Sequence, residues 1–240
     1  MKKIICILFV AAGFVHTNAQ EQANVVLELF TSQGCSSCPR ADQLLKKIAE
    51  SDQSDRIITL AYHVDYWDRL GWKDPFSKQE HTEYQYKYGK KFRGNSIYTP
   101  QLVINGDQHI VGSDVAALHA SLNKINTIPL PLEIKLTNVQ KETEKISVDY
   151  KVKHGVQTLV SFALVLKENL TSVKRGENRN RVLTNTHIVL DKKVISIGNH
   201  YSGTISFDTY PKYDFEDLEI VAYTQNNKLS VTGATKLALF

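Results

Sequence analysis

Hydrophobic and polar positions follow two different periods along this chain, and the change between them divides it. Val25 to Phe30 is an apolar run broken only by Glu28, the pattern of a buried strand. Ala41, Leu44, Leu45 and Ile48 then recur at i, i+3, i+4 and i+7, which predicts an amphipathic helix fading near Ser51-Asp52. The β-branched stretch Arg56 to Asp65 reads as a second strand. Ser77 and Glu80 match a capping box and open a second helix that should end near Gly94. Its Tyr84, Tyr88 and Phe92 stripe reads as core. Gln101–Asn105 and Gln108–Val111 flank Gly106-Asp107 as a hairpin, and Ser113-Asp114 caps a last helix carrying Val115, Leu118, Leu122 and Ile125. From Pro129 and Pro131 onward the helical period is gone. Residues 132–139, 145–152, 159–167, 187–190, 204–207 and 218–225 read as strands separated by polar turns.

The two remaining signals are the ends of the first helix and of the hairpin. Gly34-Cys35-Ser36-Ser37-Cys38-Pro39 places a CxxC where the first strand feeds the first helix, the layout of a thioredoxin-type redox centre. A helix N-terminus favours thiolate over thiol, and thiolate is the reactive species. Cys35, at the helix edge, is the expected nucleophile; Cys38, within the first turn, is expected to resolve the mixed disulfide. Thr99-Pro100 opens the hairpin where thioredoxin-like proteins set a cis-proline beside the CxxC, and Tyr98 to Gly106 is similar to the corresponding glutaredoxin segment. A cis turn there would leave the Thr99 backbone free to pair with an extended substrate chain, with Tyr98 beside it. The order strand, helix, strand, helix, strand, strand, helix agrees. The predicted fold is therefore an α/β thioredoxin-like N-terminal domain over 20–127, followed by an all-β, immunoglobulin-like sandwich over 128–240. The sandwich lacks the cysteine pair of true immunoglobulin domains, so that label describes architecture alone.

Composition narrows the setting. Met1-Lys2-Lys3, an apolar Ile4–Val15 segment and Thr17-Asn18-Ala19 form a signal peptide over 1–19, too short to span a bilayer. The expected location is periplasmic or secreted, with no membrane span in the processed chain. Cleavage takes the formal charge from +4 to about +2 and leaves no clustered basic face, which argues against nucleic acid as a partner. It also removes Cys6, so Cys35 and Cys38 are the cysteines of the processed chain. A bond across CxxC closes a very small loop, worth ~2 kcal/mol, so the pair suits reversible chemistry better than stapling. The expected substrates are exported proteins or small thiols, with a membrane electron donor as one source of reducing power. No cofactor is implied.

Further residues are candidates by position. Glu28 resembles the buried carboxylate that thioredoxins use as a proton acceptor, but its offset from Cys35 is one residue longer and could turn it to the other sheet face. His63, Asp65, Tyr66, Trp67 and Asp68 follow the second strand, at the sheet end where ligand crevices form; aromatic packing with capping carboxylates is the competing reading. Paired thiolates also suit Cu(I), so metal handling stays open, as does a non-catalytic binding module. For zinc, no second CxxC or HxxxH completes a ligand set. The turn-rich Arg175-Gly176-Glu177-Asn178-Arg179-Asn180-Arg181 reads as a loop that is solvated or docks a partner or the first domain.

Glu28 to Pro39, His63 to Asp68 with Gly71 to Phe76, and Tyr98 to Gln101 together resemble a bacterial secreted thioredoxin-like family catalogued as a domain of unknown function. The Arg175-Gly176-Glu177-Asn178 stretch resembles its second half. Two positions depart from the family pattern: Arg40, where a second proline is usual, and Asn180, where glycine is usual. The resemblance implies the fold and a redox-like site. It brings no substrate.

Overall fold

β1 (Val25–Thr31) is buried along its whole length and pairs on both sides, so every second side chain must find a different packing partner. Val25, Leu27 and Leu29 pack with Ala41 and Leu45 of α1 (Cys38–Ala49) and Leu118 of α3 (Val115–Lys124). Val26 and Phe30 pack on the other face with Tyr84 and Tyr88 of α2 (Gln79–Lys91). The apolar interruption at Glu28 falls on the α2 face. β2 (Ile57–His63) runs parallel to β1, and the hairpin β3 (Gln101–Ile104) and β4 (Gln108–Val111) adds antiparallel strands.

The structure, a computed structural model, describes residues 25–51, 55–94, 97–125, 130–153, 158–198 and 201–240. The signal peptide expected over 1–19 lies outside the described residues. Beyond the first half come β5 (Glu133–Lys141), β6 (Lys145–Lys153), β7 (Thr158–Ser172), β8 (Val182–Ile197), β9 (Ser202–Asp208), β10 (Leu218–Gln225) and β11 (Val231–Ala238). β8 lies beside β2, in parallel, so the two halves share one eight-stranded mixed sheet in the order β11-β10-β7-β8-β2-β1-β3-β4. A separate three-stranded sheet, β5-β6-β9, packs over the β7–β8–β10 part through Ile134, Val148 and Phe207 against Phe162, Leu164 and Ile220.

This corrects the expected fold class. The protein is mostly β, built on one large mixed sheet, and is not a thioredoxin-like α/β domain followed by an immunoglobulin-like sandwich. The physical reason lies in β7 and β8. They are 15 and 16 residues long, far beyond the short apolar cores read at 159–167 and 187–190, and β8 pairs with β2 through Ile188, which joins the two halves in one sheet. Thr59 Oγ1 meets His187 Nδ1 at 2.6 Å across that seam. Period-two runs interrupted by polar residues gave no sign of this length, because a strand half-covered on each face alternates irregularly.

Smaller differences have local causes. α2 begins at Gln79, not at a capping box: the Ser77 hydroxyl donates to Asp68 Oδ2 at 2.7 Å instead of capping, and Lys78 stands at the N-cap. Asp114 does cap α3, accepting from the Ala117 N–H at 2.9 Å. Among the described residues no helix is long and apolar enough to cross a membrane.

Candidate functional site

The loop after β1 is held in place before the helix begins. The Gln33 N–H donates to Asp74 Oδ2 at 2.8 Å, and Gly34 N–H to the Ser32 hydroxyl at 3.0 Å. Gln33 spends its side chain across the molecule, on Thr171, Asn185 and the Trp72 indole. The chain then turns through Cys35 into α1, with Ser37 at the N-cap and Pro39 in the first turn, where its missing N–H costs nothing.

Cys35 and Cys38 are free and buried, 1% and 0% exposed, while Ser36 and Ser37 between them are exposed. The two sulfurs are biased in opposite directions. A hydrogen bond from the Cys38 thiol, then others from Ser37 and Thr99, outweigh burial and bring Cys35 from the ordinary 9.0 down to about 6. The Ser37 hydroxyl lies 3.2 Å from its sulfur, and the Cys35 thiol can itself donate to the Thr99 carbonyl at 3.9 Å. Burial pushes the Cys38 thiol up, and the neighbouring Cys35 and Asp42 charges push it further.

Asp42 stands one turn after Cys38 on the same face of α1, so the buried helix stripe carries a carboxylate among Cys38, Ala41 and Leu45. Burial raises it from 3.8 to about 7 against the opposing pull of His63 and of the Thr31 hydroxyl, which donates at 3.0 Å. Beyond it, His63 Nδ1 meets Asp74 Oδ2 at 2.7 Å with both side chains fully buried. Burial opposes the imidazolium, but the Asp74 charge overrides it and raises His63; the same contact, with backbone N–H groups of Gln33 and Phe76, outweighs burial and lowers Asp74.

The predicted residues sort into three groups. Cys35, Cys38, Thr99 and Trp67 come together: the Trp67 indole N–H donates to Thr99 Oγ1 at 2.8 Å, and its Cβ lies against Gly34. The Thr99–Pro100 bond is cis, and Pro100 hands the chain to β3. His63 and Asp65 sit nearby; His63 is buried against Asp74, and the half-buried Asp65 accepts from Thr82 of α2 at 2.5 Å. Tyr98 turns its hydroxyl to His109 at 2.8 Å, while its carbonyl is held by Gln85. Glu28 does not meet the thiols at all. It is buried on the opposite sheet face, where Tyr84 and Tyr223 donate to Oε1 at 2.8 and 3.0 Å and Tyr88 to Oε2.

Three residues that sequence reasoning left out of the site belong to it. Asp42 carried a readable signal, an acid at i+4 from Cys38 on an apolar helix face. Glu177 and Asn178, from the loop read as solvated or docking, strap the second half onto the cysteine turn. Glu177 accepts the Ser36 N–H at 2.9 Å; the Asn178 amide donates to the Gln33 and Cys35 carbonyls, both at 2.9 Å. Gly176 makes the strap possible, with φ at +74° and a Cβ position only 3.1 Å from Trp72 Cβ. No local pattern could announce a contact spanning 143 residues.

A β-rich mixed-sheet protein with a buried, oppositely biased dithiol at a helix start is the class these features define. The chain belongs to the family described as "Protein of unknown function (DUF1223)", which matches residues 26–225. It is similar to a protein of Agrobacterium tumefaciens of known crystal structure, with 29% identity over 92% of this chain and 96% of that one, and a TM-score of 0.69. A β-glucosidase from Kluyveromyces marxianus in complex with glucose matches at 9% identity over 51% of this chain and 16% of that one, with a TM-score of 0.23, which carries no argument. No curated protein matches the chain. Among the described residues no cluster of three or more His, Cys, Asp or Glu side chains could hold a metal ion.

Proposed function

We propose that this protein is an exported thiol–disulfide oxidoreductase acting through Cys35 and Cys38 on exported proteins or small thiols. The observation that carries the reading is the opposite bias of two free thiols one helical turn apart, Cys35 lowered to about 6 and Cys38 raised. A nucleophile must be thiolate before it meets its substrate, and a resolving thiol must stay protonated until the mixed disulfide forms.

The Cys35 thiolate attacks one sulfur of a substrate disulfide, the substrate S–S bond breaks, and one substrate thiolate leaves. Cys38 then loses its proton, for which Asp42 is the adjacent acceptor, and attacks the Cys35 sulfur. The second substrate thiolate leaves, two electrons have passed to the substrate, and Cys35 and Cys38 are joined. An external dithiol, delivered by a membrane electron donor in the reducing direction, restores the pair; run backwards, the same steps oxidise a substrate dithiol. Trp67 and Thr99, beside Cys35, shape the approach.

Glutathione equilibration with thiol trapping tests the reading. Formation of an intramolecular Cys35–Cys38 disulfide is expected. A potential of about −120 to −180 mV assigns an oxidant or isomerase, and one near or below about −250 mV a reductant. If no disulfide forms between the two cysteines at any poise, the proposal falls. The signal-like start of the chain supports export; an N-terminus retained at Met1 on protein purified from its native host would overturn that part.

A further inference from the structure

No single stretch of this chain is strongly basic by length, but the fold gathers cations round the cysteine turn. Residues 171–181 carry Lys174, Arg175, Arg179 and Arg181 against Glu177, a formal +3, where the whole processed chain carries about +2. That segment is the one strapped to the dithiol. Glu177 accepts the Ser36 N–H, and Asn178 donates to the Gln33 and Cys35 carbonyls. Arg175 and Arg179 bracket these two anchors, and the Arg179 N–H closes the turn on the Gly176 carbonyl at 3.2 Å.

Two further cations come from other segments. Arg69 lies in the single turn Asp68–Leu70, wedged between strap and cysteine loop: Trp67, at its start, sets its Cβ against Gly34, and the Leu70 carbonyl lies against Gly176. Arg40 follows Cys38 and Pro39 in the first turn of α1, which holds no acid. A cation at that end works against the helix dipole, so the helix itself does not call for it. The thiol does not call for it either, since Cys35 is lowered chiefly by hydrogen bonds from Cys38, Ser37 and Thr99.

Arg40, Arg69, Arg175 and Arg179 are exposed, and none forms an ion pair among the described residues. Across residues 31–40, 65–74 and 171–181 the exposed charged side chains are seven cations and one acid, Glu177. The other acids of these segments are half-buried or buried and bound internally: Asp65 by Thr82, Asp68 by Ser77, Asp74 by His63. They offset part of the charge from beneath, while the surface presents mainly cations. On the Pro100 side, the exposed Asp114 is engaged in capping α3. Unpaired surface charges act over about 10 Å at 0.1 M salt, so these side chains need not touch Cys35 to select what approaches it.

We infer that this face recruits acidic peptide segments, so that the disulfides exchanged at Cys35 are those flanked by Asp or Glu; this substrate class rests on the dithiol reading above. A chain bearing several carboxylates meets cations on the strap, on α1 and on the Asp68–Leu70 turn, and complementary charge of this kind acts mainly on the rate of encounter.

Three capped peptides that share one intramolecular disulfide and differ only in the positions flanking it, which are Glu, Gln or Lys, test this. In single-turnover mixing at ~20 mM salt, the reduced protein should reduce the Glu peptide roughly tenfold or more faster than the Lys peptide, with the Gln peptide between them. At ~0.5 M salt the three rates should agree within about twofold. Arg175→Gln with Arg179→Gln should cut the low-salt preference roughly threefold or more and leave the Gln peptide within about twofold of the parent rate. Lys145→Gln with Lys151→Gln makes the same change in net charge on β6, in the separate three-stranded sheet, and should keep the parent's preference. Equal rates for the Glu and Lys peptides at low salt, a preference that survives high salt, or an equal loss in the two double variants overturns the inference and leaves the dithiol reading standing. No reaction with any of the three peptides overturns both. If the arginine variant fails to fold, the salt series on the parent protein decides.

Discussion

Two buried carboxylates flank the same sheet, on opposite faces, and they are held in opposite ways. Glu28 accepts hydroxyl hydrogen bonds from Tyr84, Tyr88 and Tyr223, with the Lys192 ammonium close enough to be felt through the tyrosine rings. Asp42 receives one hydroxyl, from Thr31, and burial carries it up to about 7. Three donors tie Glu28 into a hydrogen-bonded network on the face away from the thiols. At Asp42 burial outweighs the His63 charge and the Thr31 and Asn185 hydrogen bonds and leaves the charged and neutral forms close in energy near neutral pH, beside the thiol that the proposed mechanism deprotonates. Burial of an acid is therefore not itself a sign of proton transfer. The balance of burial against nearby charges and donors, and the identity of the neighbour, decide.

The sharpest way to break this comparison is to remove one group from each side. Cys35→Ser should reduce disulfide exchange by ~10³-fold or more, because a hydroxyl cannot replace the thiolate nucleophile. Glu28→Gln should leave exchange within about twofold and instead cost stability. It disturbs a buried group to which the Tyr84, Tyr88 and Tyr223 hydroxyls all donate, a loss of about 1–3 kcal/mol in a urea melt. If Glu28→Gln slowed exchange as much as Cys35→Ser while the fold stayed intact, the two carboxylates would have to trade roles.

Asp42 makes a prediction in pH. Its folded pKa is raised, so the folded state holds this proton more tightly than the unfolded chain does. The penalty is absent below 3.8, grows as pH rises, and is complete above about 7. The gap sets an upper bound of about 4 kcal/mol. Asp42→Asn should flatten this part of the stability profile and raise the melting temperature at pH 8 more than at pH 4. In exchange assays the same variant should slow resolution of the mixed disulfide, seen as a trapped adduct at Cys35. A variant that melts in parallel with the parent at every pH would remove Asp42 from the account.

How much of this was legible in the sequence depends on range. Elements set by neighbours within a few residues could be read: the Val25–Thr31 strand, the i, i+3, i+4 stripe of α1, the hairpin around Gly106, the Asp114 cap. The CxxC at a strand-to-helix turn follows from the same local logic. The parts set by distant partners could not. Nothing near residue 61 announces pairing with Ile188, and nothing in Arg175–Arg181 reveals that Asn178 grips the Cys35 carbonyl. Glu28 shows the limit most plainly. A lone acid in an apolar run marks a buried charge, but its face depends on register, and its partners on Tyr84, Tyr88 and Tyr223, the last 195 residues away. The two tyrosines read as core are core, and are also the donors that hold this acid in place.

Within the dithiol side itself the comparison sharpens by degrees. Alkylation of Cys35 by iodoacetamide should be half-maximal near pH 6 and flat above it, since the thiolate dominates once pH exceeds its pKa. Ser37→Ala removes a hydroxyl 3.2 Å from the sulfur and should move the midpoint upward by roughly half to one pH unit, equivalent to about 1 kcal/mol.

The smallest expected effect tests the strap. Asn178 donates to two backbone carbonyls of the cysteine turn and accepts from Arg181 at 2.8 Å, all from a fully buried side chain. Asn178→Ala leaves both carbonyls without this donor and should cost about 1–2 kcal/mol of stability. Its effect on chemistry should be indirect: the turn loosens, the nearly closed Cys35 becomes more accessible, and alkylation accelerates a few-fold with the pH midpoint unmoved. That combination matters because Asn178 touches the Cys35 carbonyl and not its sulfur. A shift of the midpoint equal to that of Ser37→Ala would mean that the second half of the chain tunes the thiol directly, and that the strap is part of the reactive centre and not only its clamp.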